Sequence, residues 1–355
     1  MLIVLGADVH KKTHTFAAAD ANGTRLDGLT APATRAGIAE ALDWALHRWA
    51  GAERVWAVED CRTYTRSLES SLAAADERIV RVPSALTARE RGSARTRGKS
   101  DAIDALAVAR AFLREDGLPG PSNDALARDL RLLSDRRDNI VAERTRCENQ
   151  LRDLILVLDP EREPALRTLG RAGVRRDLRA WLEGLDGIAA RFARELLAEV
   201  GTRTAAADAL HKEIAALVKD TALRQVPGCG DISAARLIAQ ADGIGRFRSP
   251  AAFAMFNGTA PIPASSGRTT GRVRLNHAGD RRANAAIHRI SITQIRLDGP
   301  GRDYYLACLA RGKTRREALR CLKRRVSDTV YRALNADTHA PHATTATTTP
   351  VPQAA

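Results

Sequence analysis

The sequence predicts an α/β domain followed by a mostly helical remainder, and three features of the 355-residue chain carry that expectation. Short apolar runs bounded by turn residues alternate with helix-period segments as far as about residue 117. Beyond that point the strand-like runs give way to long stretches with apolar residues at helical spacing. Residues 336–355, ADTHAPHATTATTTPVPQAA, lack any core-forming pattern and are expected to form a disordered tail.

Within the first segment the elements follow in order. LIVLGA, residues 2–7, is a buried strand. THTFAAAD alternates loosely and leads through ANG to TRLDGL, a hairpin with its turn at Asn22-Gly23. TRAGIAEALDWALHRWA has helical periodicity, with Thr34 as its cap. RVWAVED is a second buried strand ending in Glu59 and Asp60, TRSLESSLAAAD is helical, and RIVRVPS is a short strand. GKSDAIDALAVARAFL, residues 98–113, begins an amphipathic helix. The order implies a mixed sheet of about five strands flanked by helices.

From residue 122 onward Leu126, Leu130, Leu133, Ile140, Leu151, Leu154 and Leu158 mark a long helix of a hairpin or coiled coil, which Pro160 ends. The segments at 177–200 and 207–222 continue the helical character. Pro227-Gly228-Cys229-Gly230 is a tight turn between helical stretches, similar to a helix-hairpin-helix element, and such a turn presents backbone N–H groups to a phosphate. An ordinary glycine-rich helix connection has the same composition. The resulting division is 1–117, 118–220, 221–335 and the tail 336–355.

Charge supplies the first functional clue. Lys plus Arg number 56 against 42 Asp plus Glu, a net charge of +14, with a pI near 10.3. That excess is the footprint of a nucleic-acid binder. The cysteines Cys61, Cys147, Cys229, Cys308 and Cys321 form no CxxC pair, which argues against a zinc site or a disulfide framework and fits a reduced cytoplasm. The opening MLIVLGADVHKK is broken by Asp8, so it reads as neither a signal peptide nor a membrane span.

Asp101 and Asp104 stand three apart, on one face of their helix. Each has a bland role open to it as a first-turn acid favoured by the helix dipole. Asp8 follows the first buried strand and Glu59 ends the second, with Asp60 competing for the same role. If adjacent strands carry Asp8 and Glu59 and the helix packs over them, four carboxylates converge at one sheet edge. Neighbouring carboxylates raise one another's pKa, so such a cluster calls for cations. Two Mg²⁺ ions, with Mn²⁺ as the substitute, would answer the repulsion and assist an in-line displacement at phosphorus.

GADVHKKTH, AVEDCRTYTRSL and RGKSDAIDALAVARAFL together resemble the N-terminal domain of DEDD transposases, the bacterial insertion-sequence class that includes bridge-RNA-guided recombinases. That domain is RNase H-like and similar to the Holliday-junction resolvase RuvC. VPGCGDISAARLIAQ, FNGTAPIPASSG and GKTRREALRCLKR resemble the family's second region, so the likeness covers residues 3–334. It implies that Asp8, Glu59, Asp101 and Asp104 are metal ligands and that Ser266, with Ser265 as the alternative, is a nucleophile forming a phosphoserine link to DNA. Gly279-Asp280 departs from the Gly-Asn pair of many relatives. The resemblance also implies a structured non-coding guide RNA and a homodimer or tetramer. The leucine-rich helices would then serve either subunit contact or packing within one chain.

Two basic groups remain. Arg268, Arg272, Arg274, Arg281 and Arg282 surround the serine in sequence and would neutralise phosphates of double-stranded DNA. Arg315, Arg316, Arg320, Lys323, Arg324 and Arg325 form a cluster on the last helix, read as a backbone contact. His10, His14, His277 and His288 match no metal-ligand spacing and read as structural or phosphate-adjacent.

Overall fold

A computed structural model describes residues 1–59, 64–93, 100–121, 124–162, 169–264, 273–277 and 279–339. The chain divides into two compact units, Met1–Asn123 and Asp124–Ala355.

In the first unit β1 (Leu2–Val9), β2 (Thr13–Ala19) and β3 (Arg25–Pro32) form an antiparallel meander. The turn between β2 and β3 is held by the Asp20 carboxylate, which accepts from the N–H groups of Asn22 and Thr24, with Gly23 at φ +77°. Helix α1 (Arg35–Arg48) follows, capped by Thr34 as expected. Then come β4 (Glu53–Glu59), α2 (Arg66–Ala74), β5 (Arg78–Val82), α3 (Ser84–Ser93) and α4 (Asp101–Arg114). Strands β4 and β5 run parallel to β1, giving the order β3-β2-β1-β4-β5. Three antiparallel strands extended by two parallel ones, with helices on both faces, make the RNase H-like arrangement that the motifs implied.

The two faces of the sheet have different partners. Ile3, Leu5, Ala7 and Val9 share a core with Ile38, Ala41 and Ala45 of α1 and with Leu68 and Leu72 of α2. Val4, Ala19, Ala57 and Val82 face the opposite way, onto Val108, Ala109 and Ala111 of α4. Gly6 lies on this second face, where a Cβ would stand 2.1 Å from the Ala105 carbonyl oxygen and 2.7 Å from the Ala109 nitrogen. Only glycine lets α4 rest this close on β1, and α4 carries the acidic pair. Helix α3 has no clear apolar period in SALTARERGS, so its sequence gives no helical signal.

The second unit begins with α5 (Ala125–Leu158), a 34-residue helix. It is followed by α6 (Ala172–Glu183) and α7 (Ile188–Leu217). Leu151 and Ile155 of α5 pack with Ala193 and Leu197 of α7, while Ala127 and Leu130 pack with Ile214 and Val218. The two helices are therefore an antiparallel hairpin within this chain. The core that holds Ala127 and Val218 also contains residues of α8 (Asp231–Ala241), α9 (Pro250–Phe256), α10 (Arg281–Arg296) and α12 (Arg315–His339). A short antiparallel pair, β6 (Ile262–Pro263) with β7 (Val273–Arg274), and helix α11 (Pro300–Ala310) complete the unit.

Two differences from the sequence division follow. Composition marks a change at residue 220, yet apolar residues on both sides of it share one core, so the structure forms one unit there. Residues 336–339, assigned to the tail by composition, belong to α12. Asp337 anchors them, its carboxylate accepting from Thr221 Oγ1 and, at 2.7 Å, from the Ala222 N–H.

Candidate active site

The site in the first unit is assembled by one strand and one helix. Asp8 lies inside β1, two residues beyond Gly6 on the same face. The expectation that it stands just past the strand is corrected, because pairing with β2 extends through Asp8↔Thr15 to Val9↔His14. Helix α4 starts one turn before its contact with Gly6, with Ser100 as its cap: the hydroxyl accepts from the Ile103 N–H at 3.3 Å. That start places Asp101 and Asp104 in the first turn, over the end of β1 that carries Asp8.

The resulting geometry joins Asp8, Asp101 and His10, whose donor atoms all lie within 4.8 Å of one another. His10 Nε2 is 3.1 Å from Asp8 Oδ2 and 3.8 Å from Asp101 Oδ1. Asp8 is only 6 % exposed. Burial pushes its carboxyl above the usual carboxylate range, and the charges of Asp104 and Asp101 push the same way, while His10 pulls it back. Asp104 is turned to Arg91 of α3, with Nε–Oδ1 at 3.2 Å and Nη1 donating to Oδ2 at 3.3 Å. The Nε contact lacks hydrogen-bond alignment, so this buried carboxylate oxygen remains incompletely satisfied.

Glu59 is the last residue of β4, the strand beside β1, and the parallel register runs to Ala7↔Val58, one step short of it. It is not among the donors that come within 4.8 Å of one another in the described residues. Asp60, Ser265, Ser266, Arg268 and Arg272 lie outside the described residues. His10 joins the cluster although its spacing in the sequence did not suggest a ligand. A signal was present in its position two residues after Asp8, just past the end of β1. Arg91 carried no signal, because its role depends on how α3 packs beside α4.

The donor set suits a hard divalent cation. Carboxylate oxygens favour Mg²⁺ or Mn²⁺, and an imidazole at the rim is compatible with Mn²⁺. A buried carboxylate with its pKa raised, Asp8, beside one with an incompletely satisfied oxygen, Asp104, is the state a cation relieves.

The basic residues of the second unit separate into three groups. Arg282 is ion-paired with Asp135 of α5, and Arg324 with Asp328 one turn on. Arg274 and Arg315 are exposed, on β7 and at the start of α12. Arg281, Arg316 and Lys323 line one cavity between α10 and α12.

The glycine turn has a packing role that its composition does not reveal. Gly228 sits at φ +81°, and a Cβ there would meet Thr293 Cβ at 3.0 Å and the Ile290 carbonyl oxygen at 3.1 Å. Gln294 Nε2 also donates to the Pro227 carbonyl at 2.8 Å, fastening the turn to α10. Gly230 is the exposed N-cap of α8.

Comparison with known sequences gives the chain its class, that of a transposase. The DEDD_Tnp_IS110 transposase model matches residues 5–160, and the IS116/IS110/IS902 transposase family model matches residues 220–306. The chain belongs to the IS110/IS116 family of transposases. It is 27% identical over 380 aligned positions to the uncharacterized 44.8 kDa protein of insertion element IS116 of Streptomyces clavuligerus, covering 94% of both chains. It is 28% identical over 323 positions to the uncharacterized 42 kDa protein of insertion element IS900 of Mycobacterium paratuberculosis, covering 78% of this chain and 81% of that one. Among solved structures, T. thermophilus RuvC in complex with Holliday junction substrate aligns with 31% of this chain and 92% of that chain, at 16% identity and a TM-score of 0.25. No helix among the described residues is long and apolar enough to cross a membrane.

Proposed function

We propose that this transposase cuts and rejoins DNA strands, with Asp8, Asp101, Asp104 and Glu59 forming a Mg²⁺-dependent site and Ser266 supplying the nucleophile. The observation that carries the reading is the convergence of Asp8 and Asp101 on one face of an RNase H-like sheet, in a chain of transposase sequence. When bound, a divalent ion supplies charge neutralisation at the phosphodiester and lowers the pKa of a hydroxyl near it. Asp8 and Asp101 would hold it, with His10 at the rim. Asp104 would join them on releasing Arg91, and Glu59 enters from the neighbouring strand.

The serine step rests on the family resemblance. The Ser266 Oγ attacks phosphorus, a P–Oγ bond forms, and the P–O bond to one strand breaks, that strand's oxygen taking up a proton. Resealing reverses the step with a second strand's hydroxyl, so no external energy is consumed. A guide RNA and a homo-oligomeric assembly are further parts of the reading and rest on the same resemblance. The large positive charge supports a nucleic-acid partner of either kind.

The test is covalent trapping with the element's donor DNA, Mg²⁺ and RNA transcribed beside the gene, followed by denaturation. A protein–DNA adduct that vanishes in Ser266→Ala and in Asp101→Asn is expected. Cleaved ends without an adduct, unchanged in Ser266→Ala, would instead make the protein a metal-dependent nuclease acting through water.

A further inference from the structure

The second unit holds a cavity of about 580 Å³ between α10 and α12. Arg281, Arg316, Arg320 and Lys323 line it together with His277 and His288, and among the described residues its lining contains neither Asp nor Glu. Elsewhere in this unit the cations Arg224, Arg236, Arg282 and Arg324 meet carboxylates. The concave surface here therefore concentrates one sign of charge.

The cavity is built from the core outward. Asn257 is fully buried and donates through Nδ2 to Ser327 Oγ at 2.8 Å, while its Oδ1 accepts from the Thr259 hydroxyl at 2.7 Å. The Asn257 carbonyl accepts from Asn284 Nδ2 at 2.7 Å. Asn284 Oδ1 in turn accepts from Lys323 Nζ at 2.7 Å. Gly258 and Gly279 make this possible by passing back to back, since a Cβ on Gly279 would stand 2.3 Å from Gly258 Cα. A chain of hydrogen bonds rooted in the core thus aims the Lys323 ammonium. An ammonium has three donors, and a neutral amide takes one of them.

We propose that this cavity is a phosphate site, in which Lys323, with Arg316, Arg320 and Arg281 around it, grips a phosphodiester of a nucleic-acid strand. The assignment deepens the transposase reading and rests on it for the identity of the strand. A surface patch of arginines would give the same net charge but no fixed donor. Here Asn284 is the positioning residue and Lys323 the fixed one. Half-burial lowers the Lys323 pKa, and Arg320 lowers it further. Both effects fit a cation whose counter-ion comes from outside the chain.

The test measures binding of the full chain to a short labelled DNA duplex and to a labelled single-stranded RNA as NaCl is raised. Wild type is compared with Lys323→Met, with the exposed double variant Arg316→Gln/Arg320→Gln, and with Arg191→Gln, an exposed arginine on α7. Circular dichroism checks each fold. The expected result is roughly tenfold weaker binding for Lys323→Met. The log–log salt slope falls by about 0.9 on duplex, or about 0.7 on single strand, for each phosphate left without its cation. The double variant moves the same way and Arg191→Gln stays with wild type. The arm that responds identifies DNA, RNA or both as the occupant. Unchanged slopes for both cavity variants in both arms would overturn the site. Should wild type bind neither nucleic acid, the transposase reading fails first, and calorimetry with inorganic pyrophosphate decides the cavity. A binding heat that disappears in Lys323→Met retains a phosphate site, and no heat in wild type removes it.

Discussion

The candidate sites of the two units carry charge of opposite sign on the same kind of frame. In the first, a nearly buried carboxylate, Asp8, has Asp101 and Asp104 beside it, and the protein answers with His10 and a poorly aligned Arg91. In the second, a half-buried ammonium, Lys323, has Arg320 beside it and a neutral amide for a partner. Each site is set by a backbone contact that glycine alone permits: Gly6 under α4, and Gly279 against Gly258. The contrast teaches that close backbone packing fixes one charged side chain at each site, Asp8 and Lys323, while Asp101 and Arg320 beside them reach solvent. It also marks each site for a ligand of the opposite sign.

The largest effects should come from those contacts. Gly6→Ala places a methyl 2.1 Å from the Ala105 carbonyl oxygen, with backbone on the other side. A loss of about 3 kcal/mol or more is expected, the upper range for overpacking. Hydrogen exchange should rise in β1 and α4 and stay low in α8 and α10. Gly279→Ala should do the reverse, because its Cβ meets Gly258 backbone at 2.3 Å. Exchange rising in both units for either variant would break the comparison, since it would mean that the frames are not separate.

Next comes Asp8→Asn, which separates function from stability. Loss of an anionic ligand should lower strand cleavage by about a hundredfold, the upper end of what metal sites lose with their supporting groups. Thermal stability should hold or rise, because burial and two like charges already disfavour the Asp8 carboxylate. A variant that melts earlier while keeping activity would make Asp8 a structural acid and dissolve the parallel with Lys323.

Much of the first unit was legible because local signals agreed. The buried run before Asp8, the Thr34 cap and a helix within residues 98–113 each read correctly from neighbours in sequence. What failed depended on packing at a distance. Strand β1 runs past Asp8 because β2 pairs with it, and Arg91 reaches Asp104 only through α3. In the second unit the basic residues were visible as a group, but which of them are already paired was not. Arg282 finds Asp135 across 147 positions, and the Asn257–Asn284–Lys323 chain joins three separate segments. The turn at Gly228 reads from sequence either as a phosphate-facing turn or as an ordinary glycine-rich helix connection, and its missing Cβ serves contact with α10.

The finest test of the comparison is histidine titration. His14, nearly buried on β2, has its pKa lowered below the ordinary 6.5, first by burial. His288, on the cavity wall, is lowered first by burial and then by Lys323 and Arg289. A lowered folded-state pKa means that the unfolded chain binds the proton first. The stability these groups lend is complete above about pH 6.5 and is lost as pH falls through the lowered values. In Lys323→Met, ¹³C-resolved NMR should show the His288 midpoint moving up toward its ordinary value while His14 stays. Arg191→Gln should move neither. If His288 does not respond, Lys323 is not the source of the field in the cavity, and the second unit loses its likeness to the first.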